Sequence, residues 1–132
     1  MNFLLVERYA RLPYYGKLKV LLEVAEIDTS GLVAVLGLHD TRQAQSFLES
    51  GHICSSCALR YFQRAEVLLW LLTFVLRWSN WDLEYMQGLM KPDAFWLSTG
   101  DPPPWKGIGL SQYLISGGLE SATLWVQSQR NN

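Results

Sequence analysis

The chain has 132 residues, 49% of them hydrophobic and 17% charged, with 11 basic and 12 acidic side chains. That length fits one domain over residues 1–132, and the near-neutral balance excludes a dedicated duplex-DNA binder, which neutralises many phosphates with a basic excess. Two cysteines exclude a disulfide-dense secreted scaffold.

The first apolar run, Phe3 to Val6, is broken by Glu7 and Arg8. A secretory signal needs an apolar stretch of about 7–15 residues, so none is expected. Leu5, Tyr9 and Leu12 share one helical face and Glu7, Arg8 and Arg11 another. Residues 2–12 are therefore predicted to form an amphipathic helix that Pro13 ends.

Residues 17–27 satisfy two templates. As a helix, Leu18, Leu21, Leu22 and Ala25 make the apolar stripe, and Lys19 pairs with Glu23 one turn on. As a strand, Leu18, Val20, Leu22 and Val24 alternate inward, and Asp28-Thr29-Ser30-Gly31 turns the chain into Leu32–Leu38. The share of Leu, Lys, Glu and Ala favours the helix. A β-hairpin at 17–38, within an α+β fold, stays open as the alternative.

Asp40 or Thr41 can cap a short helix through Gln43, Ala44, Phe47 and Leu48, closed by Ser50-Gly51. The longest element runs from about Ser56 to Trp78, with Arg60, Gln63, Arg64, Glu66, Thr73 and Arg77 on its wet side. From Val67 to Leu76 only Thr73 is polar, so this half is expected to be covered nearly all round. It is shorter than the ~20 residues a membrane span needs, and Arg64 and Arg77 bracket it. The expectation is a buried core helix, no membrane partner, a cytoplasmic location and reduced thiols.

Ser79, three residues before Asp82, makes a capping-box-like start for a helix to about Met90, closed by Lys91-Pro92. Residues 91–109 carry Gly100, Pro102, Pro103, Pro104, Gly107 and Gly109, which predicts a long loop. Leu110–Gln129 reads as a helix broken at Gly117-Gly118. No internal repeat is visible. The pattern predicts a mostly α fold, a compact single-domain helical bundle around a buried central helix.

Both histidines and both cysteines lie between residues 39 and 57. Cys54 and Cys57 have the short spacing that lets two thiolates reach one ion. His52 and His39 would complete a tetrahedral set for a structural zinc. The order differs from a zinc finger, where the cysteine pair comes first, and the deaminase glutamate and second cysteine pair are missing. The plain alternative is two small buried cysteines at a helix start and two ordinary loop histidines.

Five of the six tryptophans fall between residues 70 and 105. Trp78, Trp81 and Tyr85 share one helical face if the helix continues, and Trp96 and Trp105 sit in the loop, where exposure is expected. Indoles are favoured at binding hot spots, and Pro103-Pro104 before Trp105 forms a stiff polyproline stretch able to dock on an aromatic groove. Asp101–Trp105 is superficially similar to the Asp-Pro-Pro-aromatic motif of adenine methyltransferases. The extra proline, the short chain and the lack of a glycine-rich loop behind an N-terminal strand exclude that family.

The chain has no GxSxG, no phosphate-binding glycine loop and no HExxH. The leading expectation is a small protein-binding module, an inhibitor or antagonist of a larger protein of the immunity or anti-defence type. Its partner-binding residues would be Trp96, Pro103, Pro104, Trp105, Trp81 and Tyr85, with no catalytic residue and no obligatory cofactor. The alternatives are a zinc-stabilised interaction module on His39, His52, Cys54 and Cys57, and a small enzyme with its site at the 91–109 loop.

Overall fold

A computed structural model describes residues 3–52, 58–96 and 100–130. Within them the chain forms eight helices and no strand: α1 (Phe3–Arg11), α2 (Tyr14–Ala25), α3 (Thr29–Leu36), α4 (Thr41–Ser50), α5 (Ala58–Trp78), α6 (Leu83–Leu89), α7 (Leu110–Ile115) and α8 (Leu119–Arg130). The mostly α, single-domain bundle expected from the sequence is the fold observed.

The ambiguous stretch at 17–38 is two helices. Leu18, Leu21, Leu22 and Ala25 are all buried, which is the helical stripe, while Val20 and Val24 of the strand template are only half-buried. The residues that mimic a hairpin turn are helix punctuation. Glu26 closes α2 in the left-handed region at φ 59°, and Asp28 opens α3 by accepting a hydrogen bond from Gly31 N–H at 2.8 Å. Asp40 caps α4 in the same way, accepting from Gln43 N–H at 3.0 Å, and Gly51 closes that helix at φ 73°.

The start of α6 departs from the expectation. The Ser79 hydroxyl donates to Val75 O at 2.7 Å and so belongs to the end of α5. Asn80 and Trp81 follow at φ 55° and 63°, and Trp81 N–H returns to Leu76 O at 3.0 Å. The true cap is Asp82, whose Oδ1 accepts from Glu84 and Tyr85 N–H. The helical path stops between Trp78 and Leu83, so Trp81 and Tyr85 do not continue the face of Trp78.

Helix α5 packs against α2, α3, α6 and α8. One face, Tyr61, Ala65, Leu68, Leu72 and Val75, is fully inside the core. Leu119, Ala122, Trp125 and Val126 of α8 close it from the C-terminal side. Trp96 and Trp105, from the described parts of the 91–109 segment, meet Trp125 of α8 in an aromatic centre whose ring centroids are 5.0–6.0 Å apart. Gly109 lets the segment close on itself. It sits at φ 90°, and a Cβ there would stand 2.8 Å from Met90 O, a contact only glycine avoids.

Candidate functional site

The long helix carries a second apolar stripe that its neighbours leave open. Leu69, Trp70, Thr73, Phe74 and Trp78 recur at helical spacing and are each only half-buried, with Glu66 and Arg77 exposed at the two ends. The expectation that residues 67–76 are covered nearly all round is thus corrected. Helices α2, α3, α6 and α8 cover one side of α5 but not its full circumference.

Trp70 stacks on Phe74 with centroids 6.2 Å apart, and Phe74 meets Trp78 at 5.7 Å. These rings floor a groove of about 880 Å³ whose other wall is Tyr9, Tyr14 and Lys17. The Tyr9 hydroxyl is 2.7 Å from Thr73 Oγ1, and Lys17 Nζ stands 5.5 Å over the Tyr9 ring. Burial raises the Tyr9 pKa, against the opposing pull of the Thr73 hydrogen bond and the Arg77 charge. Tyr14 is raised much further, by burial and then by the charge of Glu66. Its hydroxyl is buried without a hydrogen-bond partner.

A second concavity of about 1080 Å³ lies beyond α1, lined by Phe3, Leu4 and Arg8 on one side and by Trp81, Leu83, Glu84 and Tyr85 on the other. Phe3 is 74% exposed, Leu4 67% and Tyr85 49%. The edge of Trp81 meets Tyr9 at 5.7 Å, so this ring pair separates the two concavities. Two of the residues singled out by sequence, Trp81 and Tyr85, therefore meet here on an accessible surface.

The other four divide. Trp96 and Trp105, expected to be exposed, are 7% and 1% exposed, and Pro103 is buried with them. Pro104 is exposed. The loop indoles turn inward because each finds aromatic partners from other elements. Trp96 meets Trp78 at 5.7 Å and donates from Nε1 to Leu89 O at 3.1 Å, and Trp105 meets Tyr113 at 6.4 Å. The pattern that sequence reasoning missed is the Trp70-Phe74-Trp78 row, visible as aromatics four residues apart.

Of the zinc-ligand set, Cys54 and Cys57 lie outside the described residues, while His39 and His52 are exposed. Among the described residues no three His, Cys, Asp or Glu side chains are grouped as metal ligands. Asp93 and Asp101 of the 91–109 loop are exposed and line neither concavity. No described helix is long and apolar enough to cross a membrane.

The groove on α5 offers aromatic faces, one hydroxyl pair, two cations and one carboxylate. These groups bind by apolar contact, stacking and charge. Comparison of the chain with protein-family models, curated proteins and solved structures found no match.

Proposed function

We propose that this chain is a small protein-binding module that acts by contact, an inhibitor or antagonist of a larger protein of the immunity or anti-defence type. The carrying observation is the row of half-buried aromatics on the central helix, Trp70, Phe74 and Trp78. A monomer gains by burying such rings, and large aromatic side chains held on a rigid helix are the residue type that dominates interface energetics. Trp81 and Tyr85, with Phe3 and Leu4 beside them, extend the contact area across α1. The cytoplasmic setting expected from the sequence belongs to the same reading.

The test is capture with the immobilised chain and with Trp70→Ser in parallel, the bound proteins being identified by mass spectrometry. A protein held by the wild type, lost with the variant and lowered in its own activity when the chain is added supports the reading. Identical sets on both surfaces overturn it.

A further inference from the structure

The charges around the α5 groove are unevenly placed. Lys17 lies over the Tyr9 ring, and Tyr9 is bonded to Thr73, one helical turn before Arg77. Lys17 and Arg77 therefore both stand on the Tyr9 side of the groove. Glu66 stands at the other end, beside Tyr14. The ion pairs among the described residues are Arg64–Glu120 and Lys91–Glu26, so neither groove cation has a carboxylate partner there.

From Glu66 to Trp78 the helix rises about 18 Å, at ~1.5 Å per residue, or just over three turns. Trp70, Phe74 and Trp78 form a continuous row of touching rings along about 12 Å of it. Such a row matches the side chains of a second helix spaced three and four residues apart.

We propose that the groove takes an amphipathic helix of a partner protein, about three turns long, docked with its carboxylates against Lys17 and Arg77. Its apolar face covers Trp70, Phe74 and Trp78, and the end beside Glu66 carries no acidic group. This rests on the reading of the groove as a contact surface. The charge at one end sets the direction in which the helix lies, because reversing it brings carboxylates to Glu66 and leaves both cations uncovered.

The probes are two synthetic helical peptides of about 14 residues, long enough to span the groove. Both carry leucines three and four residues apart; one has two glutamates in its last turn and the other two lysines. Each is titrated calorimetrically into the intact protein. The glutamate peptide is expected to bind about tenfold more tightly, with the gap shrinking as salt is raised. Arg77→Glu is expected to cancel or invert the preference, with Lys17→Glu as the second variant should the first melt early.

Equal affinities, or binding by neither peptide, overturn the inference. Self-association of the protein that Trp70→Ser abolishes would put a second copy in the groove and overturn it as well. Where a captured partner depends on Trp70 but the peptides show no charge preference, the contact reading stands and the acidic helix falls. Where capture is indifferent to Trp70, both fall.

Discussion

Arg64, on α5, donates from both Nε and Nη2 to one acceptor, the carbonyl oxygen of Val35 in the last turn of α3, at 3.1 and 2.8 Å. The N–H that would meet this carbonyl in a longer helix, His39 N–H, donates instead to Gln43 Oε1 at 3.0 Å. A guanidinium thus replaces the missing turn and places positive charge at the negative end of α3. Its remaining arm, Nη1, reaches Glu120 of α8 at 2.7 Å. Arg64→Ala is expected to cost about 2 kcal/mol, as for hydrogen bonds to a charged donor. Arg64→Lys should recover only part of this, since an ammonium cannot reproduce the fork. Urea unfolding of the three proteins checks it, and equal midpoints would remove the tie from the account.

The unpartnered Tyr14 hydroxyl gives a prediction of opposite sign. Tyr14→Phe keeps the ring against Phe47, 6.1 Å away, and removes a buried polar atom that bonds to nothing. Stability should rise by about 1 kcal/mol. The pH dependence follows from the same group. Tyr14 and Tyr9 both hold their protons above the ordinary 10.0, so above that value the unfolded chain releases protons that the folded chain retains. Stability is then complete below 10.0 and falls as pH rises above it. Unfolding midpoints at about pH 9 and about pH 11 should converge in Tyr14→Phe relative to the wild type. A larger alkaline loss in the variant would contradict the assignment.

Two glycines should respond in opposite directions to alanine. At Gly109 the new Cβ meets Met90 O at 2.8 Å with φ at 90°, so Gly109→Ala is expected to destabilise by about 2 kcal/mol or more. At Gly88, inside α6, nothing lies within 4 Å of the added carbon. Gly88→Ala should stabilise by about 0.5–1 kcal/mol through helix propensity alone. Thermal melts of the pair give the comparison directly, and a shared sign would refute it.

Trp105→Ala and Trp70→Ser separate folding from binding. Trp105 is fully enclosed by other rings, and its truncation is expected to cost about 3–5 kcal/mol. Trp70 is half-buried at the groove, and as a hot-spot residue its loss should weaken partner binding about 30-fold while costing far less stability. Calorimetric melting beside an affinity measurement distinguishes the two effects. A Trp70→Ser protein that melts as early as Trp105→Ala would place Trp70 in the core instead.

Local signals were readable where a single side chain meets its own backbone. Pro13 separates α1 from α2, Asp40 caps α4, and Gly117-Gly118 separates α7 from α8, as the residues themselves predict. Ser79 misled because either Ser79 or Asp82 suits a helix start, and the left-handed pair Asn80 and Trp81 decided between them. The loop indoles misled for another reason. Glycine and proline report the path of residues 91–109 but not what lies beneath it, and Trp96 and Trp105 are buried by rings from α5, α7 and α8. The spacing of Trp70, Phe74 and Trp78 is readable in the sequence, but that the row is left open is not, since coverage depends on how many neighbours a helix has.

The meeting of Trp78, Trp96, Trp105 and Trp125 also bears on the order of folding. These rings come from α5, from the 91–109 segment and from α8, so the centre of the molecule is sealed only when the last helix docks. Until then the partly folded chain presents several indoles to solvent together, a surface prone to self-association. Substitutions that loosen α8, which contributes no residue to the groove lining, should therefore act first on the yield of monomer, before any effect on contact with a partner is felt.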